Sequence, residues 1–347
     1  MALEKKQNSM RKKEHLFVSL NEDVEATEIS NGFKDYRFIH QALPGIALEE
    51  IDVSTTFLGK KLELPMMISP LVGGINQTGK INKDLAKVAQ LKGIAMGLGS
   101  QRTAIEDNGN HKSYLVRDVA PDILLFSNLG AVQLNYGFGV KECSQAVKMV
   151  DADALIIHLN LMQEAFQAEG NCNFRGLEEK IGKVCNSLDV PVLVREVGFG
   201  ISREVAKKLV GINVSAIDVG GAGGTSWVEV EKHRSKDRLL KKVAPSFNSW
   251  GIPTADSVKA VRSVSETIPL VASGGIRTGL EVAKAIALGA DIAGIALPML
   301  RNIRVSVKSC IDYINEIKAG LKIAMFGIGA ARIDDLKHTP FITKGEK

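Results

Sequence analysis

The sequence predicts an α/β fold, a (β/α)8 TIM barrel with an N-terminal extension, on three observations. Eight short, continuously apolar runs recur through it, amphipathic stretches stand between them, and polar residues gather where the runs end. Continuous rather than alternating hydrophobicity suits strands covered on both faces, as in a parallel sheet. Eight strand–helix units in about 230 residues favour the barrel over a doubly wound sheet.

The runs are PMMISPL (65–71), IAMGLG (94–99), DILLFSNL (122–129) and ALIIHLN (154–160), then PVLVREV (191–197), AIDVGG (216–221), PLVASGG (269–275) and IAGIALP (292–298). Between them, INKDLAKVAQLK (81–92) places Ile81, Leu85, Val88 and Leu91 on one helix face. SREVAKKLV (202–210) opens on Ser202 as N-cap, and LEVAKAIALGA (280–290) ends at Gly289 as C-cap. The 222–250 stretch after the sixth run is long, and loops of that length are usually functional or disordered. Residues 1–60 are expected as an arm and extension packing on the barrel, 61–330 as the barrel, and 331–347 as a C-terminal tail.

Apolar residues make up 45% of the 347 and charged residues 24%, which fits a globular protein with a sizeable core. The formal charge of +5 has a local source: Lys5, Lys6, Arg11, Lys12 and Lys13 face only Glu4 and Glu14 at the start. A solvated, disordered start is the ordinary reading of such a terminus. No basic stripe elsewhere is large enough for nucleic acid. Cys143, Cys172, Cys185 and Cys310 form no C-x-x-C pair, so reduced thiols in a cytoplasmic protein are expected. No apolar signal segment follows the basic residues, and no run approaches the roughly 18 apolar residues of a membrane helix.

The residues closing the runs are Ser69, Ser100, Asn128, His158, Asn160, Arg195, Glu196 and Asp218. One polar residue after a strand is usually a cap or loop hydrogen bonder. So many at the end of a barrel that carries active sites make a site the better reading. Two glycine clusters, GGAGGTSW (220–227) and ASGGIRTG (272–279), follow the sixth and seventh runs. Backbone without Cβ atoms can form an anion-binding nest, to which following helix N-termini add positive potential. With Thr225 and Arg277 as donors, the clusters predict a phosphate site rather than bare tight turns.

Long blocks of the chain resemble the type II isopentenyl diphosphate isomerase family, from about residue 10 to residue 330. They include RKKEHL (11–16), ALPGIALEEIDVSTTFLGKKLELPMMIS (42–69), GLGSQR (97–102) and SNLGAVQLNYGFGV (127–140). HLNLMQEAFQAEG (158–170), REVGFGIS (195–202), IDVGGAGGTSWVEVEKHR (217–234), WGIPT (250–254) and ASGGIRTGLEVAKAIALGAD (272–291) complete them. The resemblance implies an FMN-containing barrel that interconverts isopentenyl and dimethylallyl diphosphate. It implies reduced FMN, Mg²⁺, NADPH as reductant, and a homotetramer or octamer.

Carried over by motif, the resemblance gives the FMN phosphate to Thr225, Gly274, Gly275 and Arg277, with Ala296 and Leu297 closing the site. Pro70, Leu71, Val72, Ser100, Asn128 and Arg195 would meet the flavin. Arg11, Lys12, Ser100, Gln101 and Arg102 match the diphosphate binders, joined by His158, Asn160 and Gln163, and Glu164 matches the Mg²⁺ ligand. The implied catalytic set is Gln163, His158, Asn160, Arg195 and Trp227. Gln163 would help deliver the proton, and Trp227 would line the hydrocarbon pocket or simply pack in the core. The basic N-terminus becomes a mobile cationic arm closing over a diphosphate. The N5 region of reduced flavin would act as the acid–base group, the protein supplying orientation and electrostatics.

Four sites depart from the family pattern. VREVG carries Arg195 where the family usually has lysine, and arginine cannot give up a proton. LVGG carries Val72 where a threonine hydroxyl is usual, Leu161-Met162 replaces Pro-Leu, and Gly220 stands where Ser or Ala is common. Two other readings therefore stay open. One is an FMN oxidoreductase resembling the 2-hydroxy-acid oxidases; the other is a non-catalytic flavin-binding paralogue.

Overall fold

The computed structural model describes residues 2–106 and 108–345. Eight parallel strands close into a barrel in chain order: β1 (Met66–Ile68), β2 (Ala95–Gly97), β3 (Leu125–Gly130), β4 (Ala154–Leu159), β5 (Val192–Glu196), β6 (Ala216–Asp218), β7 (Leu270–Ser273) and β8 (Ile292–Ile295), which returns to β1. Seven of the strands fall inside a predicted apolar run, and β3 overruns its own by one residue, Gly130. Inward side chains such as Met67, Phe126, Ile156, Leu193, Val271 and Ile292 fill the barrel. A hairpin of Thr55–Phe57 and Lys60–Leu62 plugs its N-terminal end with Phe57 and Leu62. Register then sets the functional rim. Gly130 stands opposite His158, His158 opposite Arg195, and Arg195 opposite Asp218, so one row runs across β3 to β6.

The helices follow the predicted periodicity with two corrections. Helix Asn76–Lys92 buries Leu85, Ala86, Val88 and Ala89, but Leu91 is 67% exposed. In the last turn the buried stripe has already passed to Ala89, so Leu91 faces water. Burying Leu85 and Val88 stabilises the pairing of helix and sheet by about 1.5–3 kcal/mol per side chain. Ser202 caps helix Arg203–Gly211 by accepting from the Val205 amide, as predicted. Helix Gly279–Ala287 ends two residues before Gly289, whose φ of +116° takes the chain out of the helix.

The 222–250 stretch is folded: helices Trp227–Arg234 and Arg238–Val243, then a 3-10 turn Ala244–Phe247. The N-terminus is not a disordered start but a helix, Ala2–Asn21. Charged side chains on its inner face explain the difference: they pair with the barrel rather than with water. Tyr36–Phe38 pairs antiparallel with Ile342–Lys344, tying the extension to the C-terminal end of the chain.

Candidate active site

A cavity opens at the C-terminal mouth of the barrel, beneath the N-terminal helix. Its wall includes Arg11, Lys12, Ser100, Asn128, His158, Asn160, Glu164, Arg195, Thr225 and Trp227. The row set by strand register supplies the floor. Asn128 Nδ2 donates to Leu98 O, so its Oδ1 accepts, and it lies 2.8 Å from His158 Nδ1. The His158 proton therefore sits on Nδ1, leaving Nε2 as an acceptor. Burial, with Arg195 and Lys12 nearby, pushes His158 down to about 4, so the ring is neutral near pH 7. Next to it, Arg195 Nη1 meets Asp218 Oδ2 at 2.5 Å in a buried ion pair.

A polar wall rises from helix Leu161–Phe166. Asn160, Gln163, Glu164 and Gln167 lie at i, i+3, i+4 and i+7, which places them on one face. Asn160 Nδ2 donates to Glu164 Oε1 at 2.8 Å, and the Asn171 amide donates to Glu164 Oε2 at 2.5 Å. Arg102 reaches the same corner through Asn171 Oδ1 at 3.1 Å. Asn160 Oδ1, Gln133 Oε1 and Gln167 Nε2 are buried there without hydrogen-bond partners among the described residues. A buried polar atom left unpaired costs about 1–3 kcal/mol, so this corner is built for something polar.

The N-terminal helix closes the cavity with cations. Lys12 Nζ donates to Ser100 O and Tyr114 OH, each at 2.7 Å. Burial and the charges of Arg11 and Arg102 push the Lys12 ammonium well below its ordinary value. Burial and Arg102 likewise lower Arg11. Three cations crowded into one desolvated space form a site that an anion would relieve. The helix is held by His15, whose Nε2 lies 2.7 Å from Glu231 Oε1, and by Arg234 between Glu14, Glu169 and Glu231. Burial opposes the charge on Glu231, yet His15 and Arg234 hold its carboxyl below the usual value. Trp227 meets the His15 ring edge-on at 5.2 Å, lines the cavity and joins two apolar clusters, so lining and packing are one role.

Not every predicted residue faces the cavity. Gln101 is fully buried beside it: its Oε1 accepts from the Asn128 amide and its Nε2 donates to Ala146 O, both at 2.9 Å. Its side chain holds Asn128, which in turn holds His158, and does not face a ligand. Gly274 and Gly275 do not line the cavity, and the space their bareness leaves is taken by backbone. A Cβ at Gly274 would stand 2.1 Å from Gly221 O, and one at Gly275 would stand 2.2 Å from Gly223 O. Gly223, at φ +102°, leaves room for Asn31, whose amide would be 2.0 Å from a Cβ there. The glycines thus let two loops and the extension interlock, so what they could offer an anion is their N–H groups and not the space of the missing side chains. Arg277 turns away from the cavity to Glu25, 3.3 Å from its Nη2. Thr225, Ala296 and Leu297 do line the cavity, at the start of helix Leu297–Val305. Pro70, Leu71, Val72, Ser100 and Gln163 line it as well.

Sequence reasoning missed His15, Gln133, Gln167 and Asn31. Gln167 was readable as the last member of the i, i+3, i+4, i+7 stripe. Gln133, four residues after a predicted strand end, carried a weaker signal. Asn31 gave none: its Nδ2 reaches Gly275 O and Glu281 Oε1 across the fold.

The fold and the site define a class. The model of the FMN-dependent dehydrogenase family matches residues 7–116 and 149–343. A lactate oxidase of Pediococcus acidilactici superposes with a TM-score of 0.68 at 17% identity, covering 99% of this chain and 94% of its own. A mandelate oxidase superposes at 0.62 and 14%, covering 96% and 92%. These likenesses place the barrel among FMN-dependent ones. Isopentenyl-diphosphate delta-isomerases are much nearer in sequence. That of a Nostoc species is 47% identical over 333 residues, covering 96% of this chain and 95% of its own. Those of Synechococcus and Synechocystis are 50% and 49% identical, covering 91% and 95% of both chains. The chain belongs to the FMN-dependent, type II isopentenyl-diphosphate delta-isomerase family.

The donor set fits FMN. Pro70, Leu71 and Val72 would give a flavin ring an apolar edge, and Ser100, Asn128 and Arg195 would give it polar partners. For a phosphate, the Gly275 and Ile276 amides would be the donors, having no acceptor among the described residues. Thr225 and the N-terminus of helix Leu297–Val305 stand nearby in the cavity wall. No group of three His, Cys, Asp or Glu side chains that could hold a metal occurs among the described residues. Glu164 alone, beside the unpartnered Asn160 Oδ1, fits Mg²⁺ held chiefly by substrate oxygens and water. No helix among the described residues is long and apolar enough to cross a membrane.

Proposed function

We propose that this protein interconverts isopentenyl and dimethylallyl diphosphate, with reduced FMN and Mg²⁺ bound and NADPH as reductant. We further propose that it works as a cytoplasmic homotetramer or octamer. One observation carries the reading: Arg11, Lys12 and Arg102 gather with Asn160, Gln163 and Glu164 around a cavity that also has an apolar part, Leu16, Trp227, Leu297 and Leu300. A short hydrocarbon carrying a diphosphate needs that pairing.

The cations would bind the diphosphate, and Glu164 would hold Mg²⁺ against its oxygens. Binding energy at that remote end fixes the alkene in place, where Trp227 and the leucines exclude water from a cation-like centre. Reduced FMN, when bound, supplies the acid and base for proton addition and removal. Neutral His158, its Nε2 free to accept, and Gln163 would orient the reacting end without a competing charge. Arg195 would stabilise negative charge by electrostatics alone, since a guanidinium is not a proton donor for this chemistry.

Hydroxy-acid oxidation is less well supported. A histidine base for that chemistry gains from a carboxylate partner, whereas His158 is backed by an amide and flanked by cations. The test is direct. The purified protein, reduced anaerobically with FMN and given isopentenyl diphosphate and Mg²⁺, is expected to form dimethylallyl diphosphate. A flavin-loaded, reducible protein that forms none would overturn the reading.

A further inference from the structure

The cavity floor contains a carboxylate that the proposed chemistry does not use. Asp218 is wholly enclosed; its Oδ2 holds Arg195 Nη1 at 2.5 Å, and its Oδ1 accepts from Ser273 Oγ at 2.5 Å and the Gly220 amide at 3.2 Å. Three strands, β5, β6 and β7, and the turn after β6 therefore meet on this one group. Arg195 lines the cavity, and its Nε and Nη2 have no partner among the described residues. One edge of the guanidinium is locked and the other is offered to whatever lies above.

A lone buried cation would act on an anion in the cavity at full strength, whereas a carboxylate in contact cancels much of that field. Burial raises the Asp218 carboxyl, while Arg195, Ser273 and the Gly220 amide oppose that rise. We propose that Asp218 is a positioning residue for Arg195: it fixes which edge of the guanidinium faces the cavity, and it mutes the charge presented to the pyrimidine side of reduced flavin. This inference rests on the flavin reading of the cavity. Its consequence is a set point. The ease of flavin reduction is governed by the pair and not by Arg195 alone.

The test compares wild type and Asp218→Asn, both loaded with FMN. It reads the flavin midpoint potential against a reference dye and the dissociation constant of the flavin–sulfite adduct. Asparagine keeps an oxygen near Arg195 and removes the charge. The equilibrium constant for reduction is expected to rise at least tenfold, and sulfite to bind tighter by a similar factor. Values within twofold of wild type, or a shift the other way, would overturn the proposal. If Asp218→Asn does not fold, the double variant Arg195→Met/Asp218→Asn removes both charges, a change often tolerated for buried pairs. Its reduction equilibrium should stay within about threefold of wild type; a tenfold fall would show Arg195 acting as a free cation and overturn the inference. A wild-type protein that binds no FMN overturns the flavin reading itself, and this inference with it.

Discussion

Glu196, at the end of β5, offers a perturbation whose size can be worked out beforehand. Its Oε2 accepts from the amides of Gly198, at 2.7 Å, Phe199, and Gly200, at 3.2 Å. The carboxyl thus shapes the loop that backs onto Thr225 and Trp227. Burial pushes it up from 4.5 to about 7, although those amides pull the other way. Below pH 4.5 the folded and unfolded chains both carry the proton. Between 4.5 and about 7 the unfolded chain sheds it while the folded chain keeps it, so stability falls as pH rises. Above about 7 both are ionised and the full cost stands. At about 1.4 kcal/mol per pH unit, that gap is worth ~3 kcal/mol. Glu196→Gln keeps an accepting oxygen and cannot ionise. Urea unfolding of the two apoproteins from pH 5 to pH 8 isolates the effect, because every other titration is shared. The variant should gain on wild type across that range by roughly 2–3 kcal/mol. Parallel curves would refute the claim that burial governs this carboxyl.

Four further outcomes follow from the geometry. Gln101→Leu leaves the Asn128 amide without its acceptor and takes one of two donors from the helical carbonyl of Ala146, and should cost about 1–3 kcal/mol in urea unfolding and lower isomerase turnover with little change in substrate affinity. Gly223→Ala puts a Cβ 2.0 Å from the Asn31 amide at φ +102°, and should cost at least about 2 kcal/mol, read as a lower thermal midpoint. Lys12→Met removes a desolvated cation, so calorimetry should show isopentenyl diphosphate binding weakened about tenfold or more while stability holds. Val72→Thr adds a hydroxyl at the cavity wall without disturbing the Val72 carbonyl, which accepts from the Gly99 amide at 3.2 Å. FMN should bind about fivefold tighter by fluorescence titration; no change would mean the hydroxyl does not reach the flavin.

The fold was legible because its signal is local. Each apolar run such as ALIIHLN carries its own strand, and eight in succession admit few topologies. The cavity rim was legible for the same reason, since strand ends of a barrel converge. Contacts that cross the fold were not legible. Nothing in the first twenty residues says that Lys12 will be buried against Ser100 and Tyr114, because that depends on where the helix lands. The glycine clusters carry a signal that the sequence leaves ambiguous. Missing side chains signal close approach, but the sequence does not say of what. Here it is other backbone, from Asn31, Gly221 and Gly223, that fills most of the space. Gln101 shows the same ambiguity: it sits between two cavity residues, yet its side chain points into the protein.

The four departures from the family pattern divide once their surroundings are known. Leu161 is 54% exposed, and Met162 packs against the cluster of Phe166, Phe199, Val228 and Ala244; neither lines the cavity, so this change leaves the site's chemistry alone. Gly220 is set by the backbone. At φ +46° a Cβ would stand 1.8 Å from Glu196 O, so this loop as folded admits no side chain there. Val72 and Arg195 remain, and both line the cavity. Val72 trades a hydroxyl for a methyl, a difference in affinity more than in mechanism. Arg195 is the consequential one. A lysine has one charged nitrogen to share between Asp218 and the cavity, whereas a guanidinium binds the carboxylate with one edge and keeps the other free. The substitution therefore keeps a fixed cation at the floor while ruling out proton transfer from it. In the proposed isomerisation the proton would therefore come from elsewhere, as a cofactor-based acid and base would allow.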